Sequence, residues 1–177
     1  MARVWLVSEP SEPDYALTDP RDLLAGFLDY YRDVVIRKLD GLSEQELRTS
    51  RLPSGWTPLQ LLKHLTNVER RWLVWGFLAE PVADPWADDG PDGRWLVRPE
   101  ESVDDVLSAF HAQAARSREI VAGGALSDLS ALGGRFPADV DAQPSLGWIL
   151  FHVLQEYARH AGHLDVAREL ADGAVGE

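Results

Sequence analysis

Residues Leu146 to Gly173, LGWILFHVLQEYARHAGHLDVARELADG, decide the fold class. Leu146, Ile149, Val153, Glu156, His160, His163 and Ala167 follow one another at spacings of three and four. That pattern places them on one inward seam of a long α-helix. Ser145 is suited to cap its start and Gly173 its end, so a helix over 145–172 is expected. The seam opens with Leu and Ile and continues with a carboxylate and two imidazoles. A buried carboxylate without a partner costs several kcal/mol, so something positive is expected against Glu156.

Working outward, three further helices are expected. Asp19 as N-cap and Pro20 at the first position start a helix over about 20–40, with Leu23, Leu24, Phe27, Tyr31, Val34, Val35 and Leu39 as its apolar face. Ser43 and Glu46 form a capping box for a short helical turn. Thr57 and Pro58 start a helix over about 58–80, whose stripe runs Leu61, Leu65, Val68, Trp72, Trp75. Ser102 caps a helix over about 102–121, with Val106, Phe110 and Ala114 inward. Between the second and third long helices, residues 81–99 hold four Pro and two Gly, too many breakers for a helix, although RWLV could pair briefly as a strand. A loop this long in a compact domain is often functional. Residues 123–144, rich in Gly and Pro, are expected to form another loop. Four long helices without an internal repeat predict one all-α domain over 1–177, a four-helix bundle with long inter-helix connections.

Composition limits the function classes. The chain has 177 residues, 45% of them hydrophobic and seven of them Trp, enough for a sizeable core. The formal charge of −12 and the scattered Arg argue against nucleic acid as a partner. MARVWLVSEPSEPDY lacks the basic start and long apolar run of a secretion signal, and no apolar run is long enough to span a bilayer, so a cytoplasmic protein without membrane contact is expected. There is no cysteine, which excludes thiolate ligands and a cysteine nucleophile. Thiol chemistry, if any, needs a thiol from outside.

Three polar residues on core faces carry the chemistry. Glu156 and His160 lie one helical turn apart, the spacing used by helical metal sites. His64, between Leu61 and Val68 on the second helix, should face the core as well. Two imidazoles and one carboxylate make a three-ligand set that leaves a position open, as catalytic zinc sites do. The alternative is a satisfied core histidine with Glu156 paired to Arg159, Arg70 or a protonated His64. His163 is a fourth ligand, a partner of a ligand, or a base. His152 is expected to be structural and His111 to lie at the surface. Trp56, Trp72, Trp75 and Trp148 are expected to pack the core and the bundle ends.

GLSEQELR, GWTPLQLLKHLTNVERRW and GWILFHVLQEYARHAGHLDVARELADG together resemble the DinB/YfiT-like superfamily, in particular its actinobacterial mycothiol-dependent branch of transferases and maleylpyruvate isomerase-like proteins. The resemblance covers about 20–173. It implies an antiparallel four-helix bundle and a divalent metal held by His64 of KHLTNVE and by Glu156 and His160 of EYARH. Many members carry His in place of Glu156, and this chain matches the His/Glu/His version. Where others read HRGQ it reads HAGH, which puts His163 where Gln is frequent.

The function expected from this resemblance is a metal-dependent S-transferase with mycothiol as co-substrate and an electrophilic small molecule as acceptor. Zinc suits the ligands best, with nickel, manganese or iron also able to bind. His163 is the candidate catalytic group. Arg159, or Arg94, would offset the negative charge of the chain where the thiol or substrate binds. Alternatives are a metal-dependent hydrolase using an activated water, with His163 as base, and a non-catalytic metal-binding stress-response bundle. The resemblance also makes a homodimer plausible.

Overall fold

A computed structural model describes residues 9–137 and 142–176, and among these the regular elements are all helical. The fold is all-α. Residues 1–8, and positions 138–141 of the expected loop 123–144, lie outside the described residues.

Helix α1 spans Pro20–Leu39, and the Asp19 side chain accepts from the Arg21 and Asp22 N–H groups at 2.8 and 3.2 Å. Its buried face differs from the expected one. Leu24, Val35 and Leu39 are buried as expected, but so are Leu28, Arg32 and Ile36, while Leu23, Phe27, Tyr31 and Val34 are only half-buried. Apolar periodicity skips Arg32, because a bare guanidinium is too costly to bury, and so reads the helix as rotated toward its flank. The cost at Arg32 is offset by Glu69, described below. Helix α2 is the short turn Glu44–Leu47 with the expected capping box of Ser43 and Glu46.

Helix α3 spans Pro58–Glu69, with Thr57 and Gln60 forming a capping box. The expected continuation to residue 80 as α-helix is not found: Arg70–Phe77 is π-helical, and Leu78 N–H donates to the Leu73 carbonyl at 3.1 Å. The three- and four-residue spacing of large side chains does not distinguish the wider turn from an ordinary one. Helix α4 spans Val103–Gly123, with Ser102 and Asp105 closing another box and Val106, Phe110 and Ala114 buried. Helix α5 spans Leu146–Asp172, capped by Ser145 and ended by Gly173 at φ 76°.

Helix α5 packs on α1 and α3, and α4 packs on α3 and α1. Leucine and other apolar side chains from all four long helices share one core, among them Leu28, Leu65, Phe110 and Leu164. Each such Leu contributes about 2 kcal/mol. A buried polar knot sits within this core. Arg32 donates from Nε and Nη2 to the two carboxylate oxygens of Glu69 at 2.9 and 3.0 Å, and the Tyr157 hydroxyl donates to Glu69 Oε1 at 2.5 Å. One side chain each from α1, α3 and α5 thus meets at a fixed point, which sets the register of α5 against α3.

Candidate metal centre

The seam of α5 does not run quite where seven residues at 3.5-residue spacing would put it. An untwisted α-helix has 3.6 residues per turn and drifts from that spacing along its length. The buried line passes through Val153, Tyr157, His160 and Leu164, which leaves Glu156 partly exposed and His163 exposed on the flank. The expectation that His163 shares the inward seam is therefore corrected.

His64 of α3 and Glu156 and His160 of α5 are nevertheless brought together: one potential ligand atom from each lies within 4.8 Å of the others. His64 Nδ1 is 2.9 Å from Asp88 Oδ2, so the ring donates there and leaves Nε2 as the free donor to a metal. Asp88 is fully buried and is gripped by Arg71, whose Nη1 and Nη2 donate to its two oxygens at 2.5 and 3.2 Å. Burial pushes the Asp88 carboxyl up, but hydrogen bonds from His64 and Arg71 outweigh it and hold the group below its ordinary value. The Trp95 ring stacks on His64 at 4.1 Å and meets His160 edge-on at 5.3 Å, forming a lid of indole over both imidazoles.

His160 is the most telling member. Its Nδ1 lies 3.2 Å from His163 Nδ1, while its Nε2 is buried and has no hydrogen-bond partner. Glu156 Oε2 approaches that Nε2 to 3.2 Å without making a hydrogen bond. With Nδ1–H directed at His163, a ring lone pair and a carboxylate oxygen face each other, an arrangement that a cation between them would relieve. Burial, and after it the neighbouring His64, bring the His160 imidazole down to about 4, so it is neutral at physiological pH, the form that ligates metals. The donor set therefore fits a divalent ion.

The other predicted residues divide. Arg159 is exposed and donates from Nη2 to Glu156 Oε2 at 2.8 Å; burial pushes the Glu156 carboxyl up, but Arg159 chiefly holds it below its usual range. Arg94 is 77% exposed, 3.8 Å from Asp92 on the loop 81–99. His152 Nε2 is 3.6 Å from Glu156 Oε1, half-buried at the flank of the site. His111 is exposed, as expected. Trp56, Trp72 and Trp75 are half-buried, but Trp148 is 54% exposed and not a core residue.

Three residues of the site, Asp88, Arg71 and Trp95, were not foreseen from the sequence. The loop 81–99 folds back on itself, with Leu96 N–H donating to the Asp88 carbonyl and Gly90 N–H to that of Arg94, both at 2.7 Å. Trp95 and Asp89 form an isolated antiparallel bridge, which replaces the brief strand considered for RWLV. This return places Asp88 and Trp95 over His64. The length of the loop was the one signal pointing to them.

Compared with known families, the sequence matches the one described as Mycothiol-S-transferase over residues 23–173. No curated protein matches it. The family match takes in every helix that forms the site, and the chain belongs to the mycothiol S-transferase family, within the DinB-like mycothiol-dependent branch.

Proposed function

We propose that this chain is a metal-dependent mycothiol S-transferase that joins the sulfur of the thiol to an electrophilic small molecule in the cytoplasm. The observation that carries the reading is the buried, partnerless His160 Nε2 facing Glu156, with His64 alongside. His64, Glu156 and His160 would hold the ion, zinc being best suited to two imidazoles and a carboxylate with a position left open. The ion's positive charge favours thiolate over thiol, which the cysteine-free chain does not supply itself.

The protein's own side chains do the rest. Asp88 and Arg71 fix the His64 ring, and Trp95 keeps water off both imidazoles. His163 holds His160 through Nδ1, and in that tautomer its Nε2 carries a proton. It accepts the thiol proton at Nδ1 only by turning away from His160, which its exposed position allows. Arg159 holds Glu156 against the site rather than reaching outward for a ligand. The four long helices are taken as the antiparallel bundle of the DinB type, and the chain as a homodimer. No helix among the described residues is long and apolar enough to cross a membrane.

Elemental analysis of the purified protein beside His64→Ala and Glu156→Ala tests the first step. About one ion per chain is expected in the parent and a large loss in both variants. Mycothiol mixed with the loaded parent and monochlorobimane should give conjugate faster than thiol alone. No acceleration with several electrophiles would sink the transferase reading.

A further inference from the structure

The loop between α4 and α5 is fastened to the π-helical segment by backbone hydrogen bonds. Ala131 N–H donates to the Phe77 carbonyl at 2.8 Å, and Arg135 N–H to the Trp75 carbonyl at 3.2 Å. Two glycines permit this approach. At Gly134, with φ +56°, a β-carbon would fall 2.2 Å from the Trp75 carbonyl oxygen, and at Gly76 one would lie 3.0 Å from the Phe136 ring. The Arg135 side chain is thereby delivered to a fixed place, its guanidinium carbon 4.2 Å from the Trp72 ring centre and 5.8 Å from that of Trp86.

Two series of contacts lead from Arg135 back to the proposed ligands. On one side the Trp72 ring lies 4.2 Å from His152, and His152 Nε2 is 3.6 Å from Glu156 Oε1. On the other, Trp86 packs against the Arg71 guanidinium at 4.6 Å, Arg71 grips Asp88, and Asp88 holds His64. His64 and His160 are 5.1 Å apart between ring centres, which closes the circuit. The ligand set stands at one end of this ring of side chains and Arg135 at the other.

Among the described residues, charge is balanced around the ring except at Arg135. Arg71 is paired with Asp88, and Arg159 with Glu156. Arg135 is half-buried and, among the described residues, has no carboxylate within ion-pair distance. Burial, and the nearby Arg71, draw its pKa below the ordinary guanidinium value. Indole faces offset about 1 kcal/mol of the desolvation but offer no acceptor in the plane of its N–H groups. A guanidinium fixed in position, partly desolvated and flanked by two flat apolar faces is complementary to a flat organic anion.

We propose that Arg135 binds an anionic group of the electrophile, so that the acceptors of this enzyme carry a carboxylate or similar oxyanion set back from the reacting carbon. This rests on the transferase reading in assigning the anion to the electrophile; the binding of an anion at Arg135 does not.

The test compares 4-(bromomethyl)benzoate with its uncharged amide, 4-(bromomethyl)benzamide, as acceptors for mycothiol. In both, the sulfur forms a bond to the benzylic carbon, bromide leaves with the bonding electrons, and the thiol proton is released. The parent should prefer the acid in kcat/KM by roughly tenfold, as expected of one charge-assisted hydrogen-bond pair. Arg135→Gln should bring the ratio close to one, mainly through KM, and Arg135→Lys should retain part of the preference. In a second arm, benzoate is titrated into metal-free protein while tryptophan fluorescence is followed, with circular dichroism confirming that each variant is folded. Saturable quenching in the parent that is lost in Arg135→Gln is expected. An acid preference and benzoate binding that both survive in folded Arg135→Gln overturn the inference. If neither acceptor is conjugated by any form, the transferase reading fails and benzoate decides alone. Loss of binding in Arg135→Gln then keeps Arg135 as an anion site, while unchanged binding, or none in the parent, removes it.

Discussion

Asp88 shows how one carboxylate governs the proposed ligand His64 without replacing it. Its two oxygens are shared between His64 and Arg71, so the imidazole is held in one tautomer and one orientation. Asp88→Asn keeps the shape but removes the charge, and the amide can present its N–H to His64. Metal affinity should fall by about 10- to 100-fold, measured by competition with a chromogenic chelator. Asp33 behaves in the opposite sense. Burial first, and the neighbouring Asp29 second, raise its carboxyl pKa above the usual value. A raised carboxyl favours the protonated form in the fold, so the ionised side chain costs stability above the folded pKa and nothing below the unfolded one. Asp33→Asn should therefore stabilise the protein at pH 7 by about 0.3 kcal/mol, a small effect because solvent screens a half-exposed group. The gain should vanish below about pH 3.9 in urea titrations run at both pH values.

Among the elements, α5 was the most readable and the π-helical end of α3 the least. Ser145, Gly173 and the one-turn spacing of Glu156 and His160 followed from capping chemistry and period, and the three metal-ligand candidates were legible because ionisable groups interrupted apolar seams. Arg32 and Glu69 were invisible for the converse reason. Each is buried only because the other is, and a pairing across 37 residues of chain leaves no mark in either local pattern. Asp88 was hidden in a loop holding several other Asp residues, and its burial arises from how that loop returns. The Arg32–Glu69–Tyr157 knot predicts how firmly α1, α3 and α5 are tied. Glu69→Gln removes the buried carboxylate of Arg32 and leaves the guanidinium only the half-exposed Asp29, 2.6 Å from Nη1, so it should cost about 3 kcal/mol in chemical denaturation. Replacing Glu69 by Asp should not restore it, since a carboxylate one methylene shorter cannot meet both Arg32 nitrogens and the Tyr157 hydroxyl together.

For the molecule as a whole, the outer face between α1 and α5 is unusual. Phe27 and Tyr31 of α1 and Trp148, Phe151 and Leu154 of α5 line an apolar groove of about 600 Å³, and Phe151 is 64% exposed. The proposed homodimer has there a surface whose burial would be favourable. Sedimentation should give a dimer for the parent and a monomer for Phe151→Glu, with helix content unchanged. A monomeric parent at micromolar concentration would remove the homodimer from the proposal.

The three side chains proposed to hold the ion lie on two elements that a growing polypeptide produces far apart in time. His64, and the loop carrying Asp88, are made early, while two of the three proposed ligands arrive with the last helix. A nascent chain lacking α5 has only His64 of the proposed set, too few ligands to retain an ion at this place. On the proposed ligand set, loading would follow completion of the last helix, and occupancy of the centre would become a readout of finished synthesis.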